Sequence, residues 1–187
     1  AQAAKISIRE GAEASVRLVD CVGFAVEGAG GFEEDGAPRL IKTPWSEQAM
    51  PFEKAAKLGT EKVIREHSTI GIMVTTDGSI TDIKRPAYVD AEERVITELK
   101  NTGRPFIVLV NSTDPCGAEA TELAAALSEK YGVIAMPANA MTMEQTQFEE
   151  LLSSMLMAFP IRSVNVAIPS WVNALGPDHW LARRVTE

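Results

Sequence analysis

YVDAEERVITELKNTGRPFIVLVNSTD, running from Tyr88 to Asp114, decides the fold class. Tyr88, Ala91, Val95 and Leu99 recur at helical spacing while Asp90, Glu93 and Glu98 fall off that stripe, so the first half predicts an amphipathic helix. Gly103 stops it, because glycine accepts the left-handed backbone that ends a helix. Pro105 then leads into Phe106 to Val110, a short continuous apolar run that predicts a strand buried on both faces. The polar group Asn111-Ser112-Thr113-Asp114 follows at once, at the carboxyl end of that strand.

The same alternation extends outward. Downstream, Ala120, Leu123, Ala124, Leu127 and Tyr131 form another apolar stripe closed by Gly132, and Val133 to Met136 predicts a third strand. Thr142 and Gln145 read as a capping box ahead of Phe148, Leu151, Leu152 and Met155. Upstream, Ile70 to Thr75 is an apolar run ending in Thr76-Asp77-Gly78, a buried strand with its turn. Glu53 to Glu66 is rich in helix formers, with Ala56, Val63 and Ile64 as its apolar positions. Gly28 to Pro51, with Gly30-Gly31, Pro38, Pro44 and Pro51, has no sustained period and is expected to be a loop or lid. Lys5 to Arg9 and Ser15 to Asp20 alternate around Gly11, which predicts a β-hairpin. Strands alternating with helices give an α/β fold, a mostly parallel sheet with helices on both faces. After Pro160, Ser163 to Ile168 alternates like an edge strand, before an interrupted tail holding Pro169-Ser170-Trp171 and His179-Trp180-Leu181.

Composition narrows the function classes. The 187 residues, 45% hydrophobic and 24% charged, suit one soluble domain with a real core. A net charge of −8 without any basic stripe excludes a nucleic-acid surface. Cys21 and Cys116 are too few and too far apart for a disulfide framework or a zinc site, so a reducing cytosol is the simplest setting. No apolar run reaches the roughly 20 residues of a membrane span.

In open α/β sheets ligands sit at the carboxyl ends of the strands. Asp20-Cys21-Val22-Gly23, after the expected strand Val16 to Val19, has the Walker-B arrangement: the carboxylate holds Mg²⁺ through water and the glycine lets an N–H approach a γ-phosphate. The same four residues also suit an ordinary strand-to-turn junction, with Cys21 packing as a small apolar side chain. Asn111 and Asp114 keep the spacing of the guanine-reading Asn-Lys-x-Asp loop, with Ser112 in place of lysine. Alternatively, Thr113 or Asp114 caps a helix starting near Pro115. Asn139, in Ala138-Asn139-Ala140, stands where related folds place a base-contacting loop, or in a plain turn. Thr75-Thr76-Asp77-Gly78 lines a phosphate site or is a simple turn. His67 and His179 have no partner motif.

Longer stretches carry a family resemblance. RLVDCVGFAVEGAGGFEEDGAPRLIKTPW (Arg17 to Trp45), EKVIREHSTIGIMVTTDGSI (Glu61 to Ile80), Tyr88 to Ser112, VNVAIPSWV (Val164 to Val172) and HWL (His179 to Leu181) resemble the stage IV sporulation protein A family, morphogenetic ATPases of the bacterial spore coat. The resemblance implies a Ras-like P-loop domain that uses ATP and Mg²⁺, whose hydrolysis drives self-association into a static polymer. That polymer is the basement layer of the coat, on the outer forespore surface in the mother-cell cytoplasm. A small amphipathic membrane peptide recruits it, and other spore-coat proteins build on it. On this reading Asp20 matches the Walker-B aspartate and Gly23 its partner glycine, while Asn111 and Ser112 match the base-loop pair and Asp114 departs from it.

No G-x-x-x-x-G-K-[ST] and no Gly-Lys pair occurs in the chain. The resemblance implies that the Walker-A lysine and a sensor threonine lie upstream of Ala1 and that further domains lie beyond Glu187. Residues 1–160 are then an NTPase domain without its P-loop strand and helix, and 161–187 lead toward a following domain. Such a chain is expected neither to bind ATP tightly nor to turn it over alone, since most nucleotide affinity resides in a cradle of backbone N–H groups. Phe24 and Ala25 stand where Ras-like hydrolases often carry the water-positioning Gln. Two further readings remain: a non-catalytic assembly module using the Gly28–Pro51 passage, with Phe32 and Trp45, and a regulatory GTPase supported by Asp114.

Overall fold

A computed structural model describes residues 3–9, 12–34, 36–159, 171, 175, 176 and 178–186. Alternation near the N-terminus produces an antiparallel pair, β1 (Ala4–Arg9) and β2 (Ala12–Val16), with Ala4 opposite Val16 and Ile6 opposite Ala14. β2 ends at Val16, so the strand expected to run to Val19 does not form, and residues 17–26 are irregular. Leu18, Val19 and Val22 are exposed there, and Cys21 is exposed rather than packed.

The passage expected to be a loop folds instead into two small hairpins. β3 (Glu33–Glu34) pairs with β4 (Ala37–Pro38), and β5 (Leu40–Thr43) pairs with β6 (Ser46–Pro51). Pro38 and Pro51 close strands, and Pro44 lies in the turn, positions where a missing N–H breaks no central ladder. Prolines that looked like loop signals therefore punctuate hairpins. Phe32 packs on Phe52 with ring centroids 5.5 Å apart, and the Arg39 guanidinium lies 5.4 Å from the Phe52 centroid.

Helix α1 (Phe52–Lys62) buries Ala55, Ala56 and Thr60, and widens into a π-turn over Val63–His67 that buries Ile64. Gly59 leaves room for Trp45, whose indole would lie 3.4 Å from a β-carbon at that position. β7 (Gly71–Thr76) follows, then a 3-10 turn (Arg85–Tyr88) leading into α2 (Val89–Asn101). β8 (Phe106–Asn111), α3 (Ala118–Tyr131), β9 (Ala135–Ala138) and α4 (Gln145–Met157) complete the alternation. Gly132 ends α3 at φ 66°, in the left-handed region. The capping box of α4 is set two residues later than expected: the Glu144 N–H donates to Gln147 Oε1 at 2.9 Å. A last helix, α5 (Trp180–Thr186), stands in the tail. The strand expected over Ser163 to Ile168 lies outside the described residues.

Strands β7, β8 and β9 form a parallel sheet in that order, with Gly71 opposite Phe106, Thr76 opposite Asn111, and Asn111 opposite Ala138. β8 is central and sends alternate residues to opposite layers. Phe106, Val108 and Val110 pack with Met73, Ile96, Leu99, Ala124 and Leu127. Ile107 and Leu109 pack with Leu151, Leu152 and Met155, flanked by Ile6 and Val16 of the hairpin. α2 and α3 thus cover one face and α4 the other, as the alternation of the sequence predicts. Ala91 and Leu99 of α2 are buried as expected and Val95 packs half-buried against the same cluster, while Glu92 and Ile96, outside the expected stripe, are buried beside them.

Candidate active site

All three sheet strands run parallel, so the loops that leave β7, β8 and β9 collect at one end of the sheet. Their side chains are tied to one another. In the loop after β7, the Gly78 N–H donates to Thr76 Oγ1 at 3.0 Å, and Ser79 donates both its N–H (2.9 Å) and its hydroxyl (2.6 Å) to Asp77 Oδ1. Ser79 Oγ in turn accepts the Thr113 N–H at 2.9 Å and lies 3.5 Å from Ser112 Oγ. One serine thereby couples the loop after β7 to the loop after β8.

Ser112 is fully buried; its N–H donates to the Ala138 carbonyl at 2.9 Å, and its hydroxyl accepts the Asp114 N–H at 3.0 Å. Asn111 Oδ1 accepts the Ala140 N–H at 2.9 Å and so joins β8 to the loop after β9. Asn139 Oδ1 accepts the N–H groups of Met141 (3.0 Å) and Thr142 (3.2 Å), the geometry of a side chain closing its own turn. Asn111, Ser112, Asp114 and Asn139 therefore share one end of the sheet. Neither Thr113 nor Asp114 caps α3, whose N-cap is Gly117. Asp114 is exposed, and its Oδ2 would lie 2.7 Å from a β-carbon at position 117, so the glycine is what lets that carboxylate sit against the helix entrance.

Asp20 and Gly23 are placed differently. Both lie in the irregular stretch after β2, and among the described residues no hydrogen bond or ion pair reaches Asp20. Gly23, at φ 83°, donates its N–H to Thr60 Oγ1 of α1 at 3.0 Å. The amide that the sequence assigns to a phosphate is thus held by a buried threonine, and α1 is what positions the Asp20–Gly23 segment.

Sequence reasoning missed one cluster. Glu92, in the first turn of α2, is 5% exposed, and both its oxygens receive the Arg85 guanidinium, at 2.5 and 2.8 Å. The Thr75 hydroxyl donates to the same carboxylate. A signal was present: Glu92 stands four and seven residues before Ile96 and Leu99, on the buried stripe, with Arg85 two turns earlier. Gly78 closes the base of the loop, since at φ +94° its absent β-carbon would lie 2.9 Å from the Arg85 nitrogen.

Burial pushes the Asp77 carboxyl up, but hydrogen bonds from Ser112, Ser79 and Thr76 outweigh it and hold the group below its ordinary value. A carboxyl depressed in the folded state stabilises the fold above its unfolded pKa of about 4. That contribution is lost as pH falls through the folded value. Thermal unfolding followed from neutral to strongly acid pH should therefore show Asp77→Asn losing less stability on acidification than the parent. Parallel curves would mean that the Asp77 hydrogen bonds add nothing.

A family model described as stage IV sporulation protein A, ATPase domain, matches residues 1–160. The chain belongs to the stage IV sporulation protein A family. It is 49% identical to the stage IV sporulation protein A of Clostridioides difficile (strain 630) over 97% of its length. To the proteins of that name from Bacillus anthracis and Bacillus subtilis (strain 168) it is 45% and 46% identical over its whole length. The chain spans 37% to 38% of the length of these relatives. No solved structure matches it. Among the described residues no three His, Cys, Asp or Glu side chains gather as a metal cage. Mg²⁺ in nucleotide sites needs only one or two carboxylates beside phosphate oxygens, and the unpaired Asp20 carboxylate fits that role. No helix among the described residues is long and apolar enough to cross a membrane.

Proposed function

We propose that this chain is the nucleotide-hydrolase part of a spore-coat scaffold protein, a Ras-like P-loop domain in which ATP hydrolysis drives polymerisation on the forespore surface, within the mother-cell cytoplasm. The observation that carries the reading is the joining of the three carboxyl-end loops through Ser79 and Asn111, in a domain of an ATPase family. Asn111, Ser112 and Asp114 border the base, with Asn139 behind them. Asp20 is the residue that would hold Mg²⁺, and the bound ion would neutralise charge on the phosphates. To meet the γ-phosphate, the Gly23 N–H exchanges its bond to Thr60 for one to the nucleotide, which couples α1 to nucleotide state. A small amphipathic membrane peptide and other coat proteins are the partners this reading implies.

The chain holds no Gly-Lys pair to cradle a triphosphate. The isolated chain is therefore expected to show no ATP turnover, and a polypeptide of the relatives' full length that carries it should hydrolyse ATP with Mg²⁺. Asp20→Ala in that polypeptide should lower the rate at least about 100-fold, the order expected when a group acting on transition-state charge is removed. Unchanged hydrolysis in Asp20→Ala would exclude Asp20 from the site. Assembly that proceeds without hydrolysis would favour a non-catalytic assembly module, a reading to which the exposed Leu40 and half-exposed Trp45 of the β5–β6 hairpin lend support. Competition between ATP and GTP decides the regulatory-GTPase alternative.

A further inference from the structure

The loop that carries Asp77 and Ser79 is fastened at its base by an unusual buried cluster. Thr75 is 4% exposed and is the penultimate residue of β7; its hydroxyl is spent entirely on Glu92. Glu92 in turn accepts from the two terminal guanidinium nitrogens of Arg85, and Arg85 begins the segment that re-enters the fold after the loop. Gly78 rests against the Arg85 backbone at a distance that no β-carbon would tolerate. Both ends of loop 77–84 are thus clamped to the first turn of α2, while its tip, through Ser79, receives the Thr113 N–H. A hydrophobic threonine replacement would satisfy the packing equally well, so packing alone does not explain a hydroxyl aimed at a carboxylate.

We propose that Thr75, with Glu92 and Arg85, is a positioning element for nucleotide binding: it sets the height of Ser79 and, through Ser79, the base-side loop 111–114. The proposal rests on the ATPase reading above. None of the three residues touches the nucleotide; they act through Asp77, Ser79 and Thr113. Their loss therefore raises the KM for ATP rather than lowering kcat, because the base-side loop binds ground state and transition state alike.

The test uses a polypeptide of the relatives' full length that carries this chain, with Thr75→Val, Thr75→Ser and Glu92→Gln. Valine keeps the volume and removes the hydroxyl, serine restores the hydroxyl, and Glu92→Gln supplies a second route should valine fail to fold. The expected result is a KM raised about tenfold in Thr75→Val and Glu92→Gln, with kcat held within about twofold and the Thr75→Ser value near the parent's. Hydrogen exchange over residues 77–84 and 111–114 should quicken in the same two variants and recover in Thr75→Ser. A lowered melting temperature with unchanged KM, or faster exchange confined to α2, overturns the proposal. Absence of ATP turnover in the parent overturns the ATPase reading instead, and exchange then decides by itself whether Thr75 positions the two loops.

Discussion

Arg85→Met is expected to destabilise the fold by about 3 kcal/mol, close to the lower bound for breaking a buried ion pair. The reason lies in the asymmetry of the two partners. Arg85 is 21% exposed and can reach water, whereas Glu92 is 5% exposed and cannot. Removing the guanidinium leaves a buried carboxylate with the Thr75 hydroxyl as its remaining donor. Adding Glu92→Leu to Arg85→Met removes that stranded charge and should recover most of the loss, since apolar replacements of both partners are often neutral. Urea unfolding of the parent, the single and the double variant measures this directly, provided the slope with denaturant stays constant. A double variant no more stable than Arg85→Met would mean that the stranded Glu92 carboxylate was not the source of the loss.

Ile107→Ala should cost more, about 3–5 kcal/mol, in the upper part of the range for large-to-small changes in a core. Ile107 is 0% exposed, the second residue of the central strand, and packs in one cluster with Leu151, Leu152 and Met155 of α4, against which Ile72 of β7 and Met136 of β9 also lie. A site enclosed by a sheet cannot collapse inward as a surface pocket can, so the cavity term persists. Val74→Ala provides the contrast: that side chain, on β7, is 59% exposed, and its truncation should fall within about 0.5 kcal/mol. Equal losses at the two positions, measured by urea unfolding, would contradict the two-layer core.

Much of this architecture was legible in the sequence, for reasons tied to particular residues. Phe106 to Val110 is apolar at every position because both faces of β8 are covered, and Gly103 and Pro105 just before it, with its valine and isoleucine content, separate it from a buried helix segment. Gly132 announced the end of α3 through its left-handed backbone. The hairpins within 33–51 were hidden because Pro38, Pro44 and Pro51 carry the same one-letter signal whether they sit in a loop or at a strand boundary. The stripe on α2 was right at Ala91 and Leu99 but missed Ile96 and Glu92, because a buried glutamate does not count toward an apolar pattern; only Arg85, seven residues earlier, discloses why a charge can face inward. The positions Asn111, Ser112, Asp114 and Asn139 were readable from their places after strands. Ser79 was not, because what makes it central is a bond to Thr113, a residue 34 positions away in the chain. Sequence spacing carries no information about such a contact until the parallel register of β7 and β8 is known.

The alternation along β8 has a further consequence for how this chain can change over generations. Val108 and Val110 answer to α2 and α3, while Ile107 and Leu109 answer to α4. Adjacent letters of the same strand therefore belong to separate volume-conserving compartments, each free to exchange a large residue for a small one if its own helix compensates. Drift on one side of the sheet does not have to be matched on the other.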